Sequence, residues 1–224
     1  MLNIFGVQFH LYGLIIGVAI LVALEYCRKE WVRRKLPNKL FERVSEAALV
    51  GGIIGARAYH VVDYWQYYSS DLVRILFLWE GGLGIWGALI GGLFGIACVV
   101  IYHKKQNLLL DIVDVVASIM PISQAIGRLG NWVNGEIVGR NGEPLFAYEA
   151  GLNIMLFFGM TKIHTHEPGV KTGVYLLGYG LIRILLEPLR QSQMIWTVLD
   201  FPVASALGVV SGIVGLALII RRQS

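Results

Sequence analysis

Arg183, Glu187 and Arg190 stand at i, i+4 and i+7, a spacing that lines them along one helical face and sets one carboxylate between two guanidinium groups. Pro188 falls beside them and interrupts the helix. Two cations for one carboxylate leave positive charge over, and the planar fork of arginine matches phosphate oxygens in a bidentate way. A structural ion-pair network at a helix end is the plainer reading of the same three residues. Arg57, His60 and Asp63 recur at intervals of three, with Tyr59 and Tyr64 beside them, so they share roughly one face. An arginine and an aspartate satisfying each other would explain that group. Residues 127–140 read GRLGNWVNGEIVGR, a run of two arginines, two asparagines, one glutamate and four glycines that can present backbone and side-chain donors together.

The elements that must position these groups are apolar. Of 224 residues 56% are hydrophobic and 15% charged, mean hydropathy is +0.63, and soluble domains carry about 25% charged residues. Residues 2–24, 81–102 and 201–220 each approach the roughly 20 residues that cross the hydrocarbon of a bilayer. Weaker stretches at 47–62, 112–127, 145–161 and 173–186 bring the expected count to seven transmembrane helices. The expected architecture is an all-α polytopic integral membrane protein, one domain over 1–224, with a short extracytoplasmic segment near 128–148. The first stretch reads as a retained span, because the first basic residue is Arg28.

Seven spans put Arg28, Lys29, Arg33, Arg34, Lys35, Lys39, Arg43, Lys104, Lys105, Lys162, Lys171, Arg221 and Arg222 on one side. Arg74, Arg128, Arg140, Arg183 and Arg190 fall on the other. Basic residues near span ends stay cytoplasmic, so the N-terminus is expected outside and the C-terminus in the cytoplasm. The net charge of +4 then reports topology and attraction to anionic membrane lipids, with no call for nucleic acid. Cys27 and Cys98 make no disulfide framework, and His164 with His166 is too sparse for a metal. No cofactor is indicated. Gly51 with Gly55, and Gly87, Gly91 and Gly95, repeat every four residues, as close helix packing requires. The run from Glu80 to Gly84 is a flexible lead-in to a span, and residues 72–79, LVRILFLW, read as interfacial.

The run at 127–140 resembles the signature of prolipoprotein diacylglyceryl transferases, Gly-Arg-x-Gly-Asn-aromatic-aliphatic-Asn-Gly-Glu-x-x-Gly-Arg, at every fixed position. His10, Leu11, Tyr12 and Gly13 resemble the family's His-x-Tyr-Gly element, and Gly55, Ala56 and Arg57 its Gly-Ala-Arg. Pro144, Tyr148 and Glu149 are similar to Pro-x-x-x-Tyr-Glu, and Arg183, Glu187 and Arg190 to Arg-x-x-x-Glu-x-x-Arg. The resemblance implies a multi-pass enzyme of the bacterial cytoplasmic membrane. It would move the diacylglyceryl group of phosphatidylglycerol to the lipobox cysteine thiol of a prolipoprotein signal peptide, releasing glycerol phosphate. It assigns catalytic roles to Tyr12, Arg128, Asn131, Glu136, Arg183 and Glu187, and substrate contacts to Arg128, Gly139, Arg57, Arg190, Tyr148 and His10.

One position departs from the family. Some members have a histidine of assigned catalytic role where this chain has Trp86, and an indole accepts no proton at neutral pH. His10 and His60 are the nearest candidates for a base, with hydrogen-bonded packing an equal reading for each. The chemistry asks for a thiolate and for cations aimed at a departing phosphate. Arg128 and Arg183 are expected to take the phosphate, Glu136 and Glu187 to hold them, and Asn131 to orient the head group. A small transporter should show internal repeats, which are lacking; another lipid-head-group transferase would need no thiol acceptor.

Overall fold

Apolar runs become helices here because a segment surrounded by hydrocarbon must satisfy its own backbone groups, and prolines mark where several begin. Pro37, Pro144 and Pro202 stand immediately ahead of helices with φ near −63°, −77° and −63°, the torsion their rings impose, where no helical N–H partner is needed. The computed structural model describes residues 2–4, 7–9, 11–191, 195–198 and 201–221. In chain order they form β1 (Leu2–Ile4), β2 (Val7–Phe9), α1 (Leu11–Arg33), α2 (Asn38–Asp63), α3 (Trp65–Ser69) and α4 (Ile85–Tyr102). Then follow α5 (Leu109–Asn134), α6 (Leu145–Thr161), α7 (Val170–Leu186), β3 (Thr197–Val198), β4 (Phe201–Pro202) and α8 (Val203–Ile220).

Four helical stretches, Ile85–Tyr102, Gln106–Asn134, Val170–Leu189 and Val203–Ile220, are long and apolar enough to cross a membrane, and Leu145–Thr161 is a shorter apolar helix. Leu21, Phe94 and Ile213 are 68%, 69% and 64% exposed. Such outward apolar side chains are stable against lipid. The protein is an all-α polytopic membrane protein. Its first apolar stretch differs from expectation: Leu2–Ile4 and Val7–Phe9 pair as antiparallel strands with Asn3 opposite Gln8, and α1 starts at Leu11. The motif expected as an outer loop is helical as far as Asn134.

The chain divides into two units, Met1–Arg34 with Leu110–Ser224, and Lys35–Leu109. In the first, α7 and α8 touch through small residues: a Cβ on Gly180 would lie 2.5 Å from the Gly208 carbonyl oxygen, and one on Gly173 2.6 Å from that of Gly215. An ion cluster ties α1, α5 and the start of α7. Arg34 donates to Asp111 at 2.9 Å and Asp114 at 3.0 Å, and Lys171 to Glu30 at 2.7 Å. The fully buried Asp114 also accepts from the Gly169 and Thr172 backbone N–H groups and from the Thr172 hydroxyl. Lys171, expected among loop charges, is 2% exposed, because this cluster supplies the partner that a buried ammonium needs.

In the second unit α2 and α4 interlock glycine against glycine. A Cβ on Gly55 would fall on the Gly87 carbonyl oxygen and one on Gly51 on that of Gly91, so any larger side chain would push the helices apart. Gly81 and Gly82, with φ of 86° and 75°, turn the chain into α4 in a region closed to most side chains.

Candidate functional site

Three helices of the first unit bring charge together. Arg128 and Asn131 lie one turn apart near the end of α5, Glu149 in the first turns of α6, and Arg183 at the end of α7. Helix α7 then tightens into a 3-10 turn over Glu187–Leu189, forced by Pro188, and Arg190 follows in extended backbone with ψ of 155°.

Glu149 is the hub. It is 2% exposed and accepts from Arg128 Nη2 at 2.5 Å and from the Tyr179 hydroxyl at 3.3 Å, while Arg183 Nη1 lies 3.8 Å away. Arg183 Nη2 donates to Glu187 at 2.9 Å. Arg190 stands 3.8 Å from the same Glu187 carboxylate, a Coulombic contact too long for a hydrogen bond. Three guanidinium groups therefore share two buried carboxylates. Arg190 is the most loosely held, and with Glu136, Ile137 and Val138 it lines a cavity of about 290 Å³.

The polar residues of 127–140 form a relay. The Asn131 amide oxygen accepts from Arg128 at 2.9 Å and its nitrogen donates to Glu136 at 3.0 Å. Asn134 donates to the other Glu136 oxygen at 3.2 Å. Glu136 thus orients an asparagine, not an arginine as expected, and Glu149 does the holding of Arg128. Ile137 has φ of 60°, a left-handed conformation that a β-branched residue adopts only under constraint from its surroundings. Gly139 bridges in antiparallel fashion to Arg190, and a Cβ there would fall on the Glu143 carboxylate. Glu143 closes the loop by accepting from the Asn141 backbone and side chain. Its own backbone N–H first, then Asn141, hold its carboxyl below the usual range.

Arg128, Asn131, Glu136, Gly139, Arg183, Glu187 and Arg190 thus converge. Tyr148, one residue before the hub, is 46% exposed. His10 and the Tyr12 side chain lie outside the described residues. Arg57 belongs to the second unit, and its donors go to backbone carbonyls of Arg74, Ile75, Phe77, Gly81 and Gly82, not to Asp63. With five N–H groups in all, its donor capacity is used within that unit. His60 shares a 3.0 Å hydrogen bond with the Tyr68 hydroxyl and stacks on Tyr64 at 4.5 Å, a packing histidine. Trp86, in the first turn of α4, is 44% exposed.

Sequence reasoning reaches Glu149 only as part of a motif and misses Tyr179. A signal exists: Glu149 is the one acid in the apolar run 145–161, and an ionisable group at such a place defaults to a partnered, functional role.

The family model described as prolipoprotein diacylglyceryl transferase matches residues 1–221. Curated relatives carry the name phosphatidylglycerol–prolipoprotein diacylglyceryl transferase. The protein from Halalkalibacterium halodurans is 38% identical over 213 residues, covering 82% of this chain and 72% of its own length. That from Parasynechococcus marenigrum is 31% identical, over 80% of this chain and 75% of its own. That from Listeria innocua serovar 6a is 30% identical, over 95% and 85%. With Arg128, Asn131, Glu136, Arg183, Glu187 and Arg190 brought together around the buried Glu149, and with a match spanning nearly its whole length, this chain belongs to the prolipoprotein diacylglyceryl transferase family.

Proposed function

We propose that this chain transfers the diacylglyceryl group of phosphatidylglycerol to the lipobox cysteine of a prolipoprotein in the bacterial cytoplasmic membrane. The sulfur attacks the glyceryl carbon that carries the phosphate, the carbon–oxygen bond breaks, and its electron pair leaves with glycerol phosphate while the thiol proton is released. The product is a thioether. The observation that carries this reading is the convergence of three guanidinium groups on the buried Glu149 and Glu187, with the loosely held Arg190 lining a cavity.

Arg128 has both terminal nitrogens engaged, by Asn131 and Glu149, which makes it a positioning arm. Arg183 and Arg190 retain donors for phosphate oxygens and meet the growing negative charge of the leaving group without reorganisation. The same field favours the attacking thiolate. Seven crossings, with the N-terminus outside and the C-terminus in the cytoplasm, complete the reading; the excess of Lys and Arg on one side supports it.

The test is purified protein in phosphatidylglycerol vesicles with a lipobox peptide, and a second peptide bearing serine in place of cysteine. Transfer to the first alone is expected, and transfer to both would point to a hydroxyl-directed lipid transferase. Arg183→Lys keeps the charge and loses the fork, so activity near that of the parent would refute bidentate phosphate binding.

A further inference from the structure

The second unit carries a groove that the transfer reaction leaves without a role. Arg43, Ala47 and Val50 stand at i, i+4 and i+7 on α2, which puts them on one face. Cys98 and Tyr102 stand one turn apart on α4, and His103 caps it. Together they line an open groove of about 570 Å³. Its floor is set by small residues, since the two helices touch where a Cβ on Gly95 would fall on the Ala47 carbonyl oxygen. Ala47 and Cys98 are too short to fill the space above that contact, and Val50 and Tyr102 stand beside it 57% and 82% exposed.

The groove is mostly apolar and is cationic at one end. Arg43 is exposed, and its guanidinium has no hydrogen bond or ion pair among the described residues. Lys39 lies one turn before it on α2. Lys104 and Lys105 follow His103, Lys104 in left-handed backbone with φ of 54°, and all three lysines are exposed. Glu42 and Glu46 are the nearby carboxylates, and among the described residues neither pairs with any of these cations. Two positive charges therefore remain over, at loops whose basic residues are expected in the cytoplasm. A cationic mouth on an apolar furrow at a membrane surface matches one kind of molecule in both respects, an anionic phospholipid.

We infer that this groove holds one anionic phospholipid of the cytoplasmic leaflet, with its phosphate on the Arg43 fork and an acyl chain laid over Ala47, Val50 and Cys98. A zwitterionic lipid offers the same chain, but the ammonium of its head offsets its phosphate, so the surplus cations favour it far less. The lipid is a resident component of the α2–α4 pair, separate from any donor held by Arg183 and Arg190, and its presence does not depend on the transfer reaction.

The test is photolabelling of the parent protein in phosphatidylcholine vesicles that carry a trace of phosphatidylglycerol or of phosphatidylcholine with a diazirine on one acyl chain, followed by peptide mapping. With two cations in excess, phosphatidylglycerol is expected to label residues 43–50 and 98–103 about thirtyfold more than phosphatidylcholine at low salt. Arg43→Gln, at an exposed position, should cut that preference about fivefold, and salt at about 1 M should erase most of it. Equal labelling of these residues by the two lipids would overturn the site, and that comparison needs no variant to fold. A preference that Arg43→Gln leaves whole would overturn it as well. Labelling is read without turnover, so its failure and a failure of the transfer reaction are told apart in the same preparation.

Discussion

Glu149→Gln is the sharpest perturbation of the site, because it removes a charge and almost no volume. In the parent protein the carboxylate lies 2.5 Å from one guanidinium and 3.8 Å from another, and it is 2% exposed. At an effective dielectric constant of about 20 the gross attractions are about 7 and 4 kcal/mol, much of which repays the desolvation of the ions. Removing one partner of such a buried pair costs about 3–5 kcal/mol net. A neutral amide at this position would leave Arg128 and Arg183 repelling each other with no carboxylate between them. If that loss falls on transition-state geometry, kcat/KM drops by about 150-fold to 5,000-fold, at 1.36 kcal/mol per decade. The assay is transfer of labelled diacylglyceryl to a lipobox peptide by detergent-purified protein whose melting temperature is measured in parallel. Tyr179→Phe serves as the scale: it removes one 3.3 Å hydrogen bond to the same carboxylate, worth about 1 kcal/mol or about fivefold. Glu149→Gln activity within threefold of the parent, with the fold intact, would refute the hub.

Asp114→Ala removes one of three carboxylates on Arg34, which keeps Glu30 and Asp111, and orphans two backbone N–H groups; at about 1–3 kcal/mol for each orphaned donor, the first unit should show a lower melting temperature. Gly55→Val forces a side chain onto the Gly87 carbonyl, and overpacking of this kind costs about 1–3 kcal/mol, read the same way. Trp86→Phe keeps an aromatic ring at a half-exposed position and should leave transfer within about twofold; complete loss would show that the indole does more than pack.

The helices are legible in the sequence because apolar runs and prolines carry their own boundaries: composition alone bounds residues 145–161 correctly, and Pro188 marks the end of α7. The i, i+4, i+7 set of arginines and glutamate is readable for the same reason, since helical periodicity fixes who shares a face. Partnership across helices is not readable. Arg128 meets Glu149 over a separation of 21 residues, and Lys171 meets Glu30 over 141, and nothing in local spacing encodes either pairing. Counting Lys171 among loop charges follows from treating a basic residue near a span end as hydrated. Residues 2–9 mislead in the opposite sense, because strand pairing and a helical span draw on the same apolar residues when the stretch is short.

The binding of Arg57 by five carbonyls has a consequence for the irregular stretch 71–84. A chain segment without a long helix is ordinarily where proteases cut and amides exchange first. Here a single guanidinium gathers the backbone of that stretch as a drawstring gathers cloth, with the Tyr68 ring 5.0 Å beneath it. Exchange at these amides should report one cooperative opening in place of independent fraying, and Arg57→Lys, with three donors where five were needed, should release the whole stretch at once.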